Sequence, residues 1–188
     1  MNCGEKREWV RRALLLYAVT DRSWVGEMTF CEQVKASLDG GITLLQLREK
    51  GMAYDEFLRA AKDVKALADS YHVPFIINDN VEIALEADAD GVHVGQSDME
   101  AGRVRQKLGP DKILGVSART VEQALQAEKM GADYLGVGAV FATSTKEDAD
   151  VISRDTLKEI CQAVSIPVVA IGGIRRDNMM QLTGSGAA

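Results

Sequence analysis

Seven short apolar runs punctuate the chain: Ala13–Val19, Ile42–Leu47, Pro74–Ile77, Gly91–Val94, Ile113–Val116, Tyr134–Val137 and Pro167–Ile171. Between them lie longer stretches whose apolar residues recur at three- and four-residue spacing, the mark of helices with one buried face. The clearest carries Phe57, Leu58, Ala61, Val64, Ala68 and Tyr71 on one stripe, with Asp55, Glu56, Arg59, Lys62 and Asp69 left to water. A later helix, Asp155–Val164, aligns Leu157, Ile160, Cys161 and Val164 in the same way. Thr29 with Glu32 and Thr120 with Gln123 have the capping-box form, in which side chains satisfy the free N–H groups of a helix start. Gly40-Gly41, Gly109 and Gly131 stand where helices end on a left-handed residue.

Strands this apolar are buried on both faces, and single helices between them require a parallel sheet. An open doubly wound sheet would carry GxGxxG after its first strand. Val19-Thr20-Asp21-Arg22 stands there instead, so the pattern predicts a TIM (β/α)8 barrel. The eighth strand-helix unit is expected to be missing, because the chain stops at Gly184–Ala188 where a last strand would begin. No linker or low-complexity stretch divides the chain, which predicts one barrel domain over residues 1–188, incomplete at its C-terminus.

At 188 residues and 46% hydrophobic, the chain is long enough for one sizeable core. The net charge of -6 argues against nucleic acid as the main partner, though a few local cations suffice for small phosphorylated ligands. No apolar run approaches the ~20 residues of a membrane span, and Glu5-Lys6-Arg7-Glu8 leads into no cleavable leader. The expectation is a cytoplasmic protein without a membrane partner. Cys3, Cys31 and Cys161 have neither zinc-ligand nor disulfide spacing, and nothing in the sequence specifies an oligomeric state.

Polar residues sort to one end of the predicted strands. Gln46, Arg48, Glu49 and Lys50 follow the second, Asn78 and Asp79 the third, and Gln96, Ser97 and Asp98 the fourth. Ser117 ends the fifth, Thr143, Thr145 and Lys146 follow the sixth, and Gly172-Gly173 closes the seventh. In barrels that end carries the active site. Asp79 and Asp98 follow adjacent strands, about 4.8 Å apart, and could share a Mg²⁺ ion; equally, each could cap the helix that follows it. Arg48 and Lys50, two residues apart in extended chain, project the same way and suit a phosphate, unless Arg48-Glu49-Lys50 is a solvated triplet. Gly172-Gly173 lets backbone N–H groups approach an anion, or is simply a tight turn. His72 and His93 have no Cys or second His nearby in sequence, so both read as structural, and no general base is evident.

Tyr17-Ala-Val-Thr-Asp21, Gly41-Ile-Thr-Leu-Leu-Gln-Leu-Arg-Glu-Lys50, Asn78-Asp79, Gly91-Val-His-Val-Gly-Gln-Ser-Asp98, Thr143-Ser-Thr-Lys146 and Ile171-Gly-Gly-Ile174 occur in order along nearly the whole chain. Together they resemble the thiamin-phosphate synthase family. The resemblance implies a Mg²⁺-dependent transferase that joins hydroxymethylpyrimidine diphosphate to thiazole phosphate, releasing diphosphate from a cation-like methylene. It implies that Gln46, Leu47, Arg48, Glu49, Lys50, Asn78 and Lys146 lie along the pyrimidine diphosphate, with Asp79 and Asp98 on Mg²⁺. Ser117 is implied on the pyrimidine, and Thr143, Ser144, Thr145 and Gly173 on the thiazole phosphate. Arg48, Lys50, Lys146 and Ser117 are implied as the catalytic set. The chain departs from the family at Ala139 and Ala142, where prolines are expected. Two other readings remain: a thiazole tautomerase-like isomerase, which needs no diphosphate or Mg²⁺ site, and a non-catalytic phosphate-binding module.

Overall fold

The computed structural model describes residues 3–95, 101–143 and 151–188. Seven strands alternate with helices: α1 Cys3–Ala13, β1 Tyr17–Val19, α2 Phe30–Asp39, β2 Leu44–Leu47, α3 Tyr54–Ser70, β3 Phe75–Asn78, α4 Val81–Glu86 and β4 Gly91–Val94, then α5 Ala101–Leu108, β5 Ile113–Ala118, α6 Val121–Lys129, β6 Tyr134–Gly138, α7 Arg154–Ala163 and β7 Val168–Ile171. All neighbouring pairs are parallel, and the order across the sheet is the order along the chain, β1 to β7. A doubly wound sheet reverses its strand order partway; this one does not. The α/β class and the parallel sheet expected from the pattern are both present.

The sheet curls. Strands β1 and β6 are five strand spacings apart, about 24 Å if the sheet lay flat, yet the phenol oxygens of Tyr17 and Tyr134 are 2.8 Å from each other. Two apolar layers result. Leu45, Leu47, Phe75, Ile77, Val92, Leu114 and Leu135 face the helices and meet the buried stripe of α3, Phe57, Ala61, Val64 and Ala68. On the concave side Leu44, Ile76, Ile113, Tyr134 and Val169 pack with Val10 and Leu14 from α1 and the turn after it. Each large apolar side chain so buried contributes roughly 1.5–3 kcal/mol.

The run Ala13–Val19 is not one strand. Ala13 ends α1, only Tyr17–Val19 joins the sheet, and Leu15 and Leu16 are exposed between them. An apolar run has no period that separates a helix end from a strand. Here Val10 and Leu14 at helical spacing take the buried positions. The last helix begins one residue earlier and ends one earlier than expected. Thr29 and Glu32 form the full capping box. Thr120 caps α6 through the Gln123 N–H, but the Gln123 amide oxygen accepts from Arg119 N–H instead of Thr120. Gly41, Gly109 and Gly131 hold the left-handed conformation, whereas Gly40 is right-handed. No helix among the described residues is long and apolar enough to cross a membrane.

Candidate active site

Thr20, just beyond β1, joins the ends of two strands. Its N–H donates to the Gln46 carbonyl at 2.9 Å, and its hydroxyl accepts the Arg48 N–H at 3.0 Å. This pair of hydrogen bonds ties the residue after β1 to the backbone on either side of the end of β2. Glu49 is held separately: its side chain is 5% exposed, and both carboxylate oxygens accept from Arg22 Nε, at 2.8 and 3.0 Å. The Arg22 guanidinium also lies 4.2 Å over the Phe30 ring at the start of α2. Arg48 is half-buried and Lys50 exposed. Among the described residues no carboxylate lies within ion-pair reach of either. The run Arg48-Glu49-Lys50 is thus not uniformly solvated, since its middle carboxylate is buried against Arg22. Leu47 is fully buried in the layer facing the helices, so only its backbone is available to a ligand.

The next strand end carries Asn78, half-buried as the last residue of β3, and Asp79, exposed. Asp79 occupies left-handed backbone at φ 65°, uncommon for a residue other than glycine and concentrated at functional positions. Its N–H donates to the His93 carbonyl at 2.8 Å, tying β3 to β4. The helix-capping alternative is decided here: the cap of α4 is Asn80, whose side-chain oxygen accepts the Ile83 N–H at 3.0 Å. Capping α4 is therefore the work of Asn80 and not of Asp79. Asp98, its expected partner, lies outside the described residues, as do Gln96, Ser97, Ser144, Thr145 and Lys146.

Among the described residues the buried polar side chains are Thr20, Gln46 and His93, and all three belong to this end of the sheet. Gln46, 4% exposed, donates its amide to the Tyr17 phenol. Tyr17 meets Tyr134, Tyr134 meets His93 Nδ1 at 2.8 Å, and His93 Nε2 meets Ser117 Oγ at 2.9 Å. Burial pushes both phenols above the ordinary tyrosine pKa, so they remain neutral. Sequence reasoning assigned His93 to structure alone and overlooked Tyr17 and Tyr134 as polar groups. A signal was available: a histidine within a strand buried on both faces must find partners for both ring nitrogens. His72 is exposed just after α3 and takes no part.

At the far side, Gly172 and Gly173 have φ of 99° and 65°. A Cβ on Gly173 would come within 2.4 Å of the Ala142 carbonyl oxygen, and one on Gly172 within 2.5 Å of the Ala139 Cβ. The turn is therefore pressed against residues 139–142, and the Phe141 N–H donates to the Gly172 carbonyl at 3.0 Å. Thr143, half-buried, follows that segment.

A family model described as thiamine monophosphate synthase matches residues 16–188. The thiamine-phosphate synthase of Ruminiclostridium cellulolyticum is 54% identical over 171 residues, covering 91% of this chain and 81% of its own. That of Clostridium tetani is 52% identical over 167 residues, 89% of this chain and 80% of its own. Among solved structures, the thiamine phosphate pyrophosphorylase from Pyrococcus furiosus superposes with a TM-score of 0.86 at 40% identity, covering 95% of this chain and 84% of its own.

Proposed function

We infer the working of this site from one premise: the chain belongs to the thiamine monophosphate synthase family. It is a thiamine-phosphate synthase, a transferase that joins a pyrimidine diphosphate to a thiazole phosphate and releases diphosphate. The curl of the sheet is taken as that of a (β/α)8 barrel, the chain acts as one domain, and its setting is the cytoplasm. Small phosphorylated molecules are its partners.

Arg48 and Lys50 hold the diphosphate, with Lys146 and Asn78, and their charge matters most as the C–O bond to the pyrimidine methylene lengthens and negative charge gathers on the leaving oxygens. Arg22 and Glu49 keep that loop in place. Asp79, with Asp98, would hold Mg²⁺, which when bound supplies further charge to the diphosphate oxygens. The aminopyrimidine tolerates a cation-like methylene, and Ser117 orients the ring. Thr143, Ser144, Thr145 and the Gly173 N–H hold the thiazole phosphate, so that the thiazole nitrogen faces the methylene and attacks it. Positioning and electrostatics complete the reaction without a general base.

One observation supports the metal and leaving-group reading: Asp79 is exposed on left-handed backbone at the end of β3 while Asn80 caps α4, and the adjacent strand end carries Arg48 and Lys50 with no ion pair among the described residues. The test supplies both substrates with Mg²⁺ and measures diphosphate. Asp79→Asn is expected to lower turnover about 100-fold or more while the thiazole phosphate still binds. Full turnover of that variant at limiting Mg²⁺ refutes the role of Asp79. A wild-type protein that binds both substrates yet releases no diphosphate refutes the synthase reading.

A further inference from the structure

The chain Gln46–Tyr17–Tyr134–His93–Ser117 has a direction. Each hydroxyl has one proton to give, so where a buried phenol has two partners and must spend that proton on one of them, a donor at one end orders the bonds after it. The Gln46 amide N–H donates to the Tyr17 oxygen. Tyr17 must then donate to Tyr134, and Tyr134 to His93 Nδ1. A neutral imidazole that accepts at Nδ1 carries its proton on Nε2, and that proton goes to the Ser117 oxygen. Ser117 Oγ thus accepts from His93, and its own proton is directed away from the imidazole.

The backbone is built around this chain. Gly115 is the register partner of His93 on one side and of Tyr134 on the other. A Cβ there would fall 2.2 Å from Tyr134 Cζ, and one on Gly136 would fall 2.9 Å from His93 Cε1. The two rings meet, 5.5 Å between centroids, because the strand between them has no side chain at residue 115.

We propose that His93 is a positioning residue: held in its Nε2–H form by Tyr134, Tyr17 and Gln46, it fixes Ser117 as a hydrogen-bond donor toward a ring nitrogen of the pyrimidine substrate. The functional half rests on the reading of Ser117 as a pyrimidine contact; the proton arrangement does not. A serine left to rotate could accept from the exocyclic amine or give to the ring. A serine already accepting from His93 recognises the acceptor edge of the ring.

The chain has two histidines, His72 and His93, so ¹⁵N-histidine spectra of the protein, with His72→Gln for assignment, read the tautomer directly. The Nε2–H form is expected for His93, with that preference lost in Tyr134→Phe. An Nδ1–H form in the unaltered protein overturns the proposal. In steady-state kinetics Ser117→Ala should lower kcat/KM for the pyrimidine diphosphate by about tenfold, and Tyr134→Phe somewhat less, with KM for thiazole phosphate unchanged. Combining the two should be no worse than Ser117→Ala alone, as for residues acting through one contact. Tyr17→Phe, one bond further back, gives the same reading should Tyr134→Phe fold poorly. Fully additive losses overturn the positioning role. Should Ser117→Ala leave the kinetics unchanged while the tautomer is as expected, the pyrimidine contact of Ser117 is what fails.

Discussion

The two ends of the sheet handle charge in opposite ways. At the N-terminal end, Asp133 accepts from Lys6 at 2.9 Å, from Arg105 at 2.5 Å and from the Leu114 N–H at 2.8 Å. The remaining donors of those cations go to backbone carbonyls, Arg105 to Gly109, Lys112 and Gly131, and Lys6 to Pro110 and Lys112. The turns that follow α5 and α6 are thereby tied to α1 and to the sheet. At the C-terminal end, Arg48 and Lys50 have no carboxylate near them among the described residues, and Asp79 is exposed on left-handed backbone. A network closed within the protein contributes to its stability, whereas cations without a carboxylate among the described residues suit an anionic ligand.

That contrast is sharpest at Lys50. Lys50→Ala should lower kcat/KM for the pyrimidine diphosphate by about 100-fold with an unchanged or slightly raised thermal midpoint, because a charge near Arg48 with no ion pair among the described residues is removed. A clear loss of stability would mean that Lys50 belongs to the scaffold. Asp133→Ala should do the reverse. It strands two partly buried cations and a backbone N–H, at a cost of about 2–3 kcal/mol once solvent screening is allowed for. Denaturant unfolding measures that loss, and KM for both substrates should be unaltered in the folded fraction. The smallest effect is expected at Asn80→Ala, where losing the cap of α4 costs about 1 kcal/mol. Its turnover should stay near that of the unaltered protein; a fall as deep as that of Asp79→Asn would show that cap and carboxylate act as one unit.

Local features of the chain were legible in proportion to how local their causes are. The α3 stripe needs only helical geometry, and Phe57, Ala61, Val64 and Ala68 are buried as the spacing required. Thr29 and Glu32 form their box within one turn. Arg48, Lys50, Asn78, Asp79 and Ser117 fall at the same end of the sheet because parallel strands share one polarity. The competing roles of Asp79 could not be separated in the same way. Asparagine and aspartate both cap helices, and the backbone alone selects Asn80 over its neighbour.

The amino-acid pattern by itself determined the seven parallel units and the strand end at which chemistry-bearing side chains gather, since period and polarity are properties of short segments. Only the tertiary structure decided that Tyr17 and Tyr134, 117 residues apart, share a hydrogen bond, and that His93 reaches Ser117 across 24 residues. Those contacts exist because a curled sheet brings its first and sixth strands together, with glycines at 115 and 136 leaving the space. Curvature is a property of the assembled strands, and no single segment encodes it.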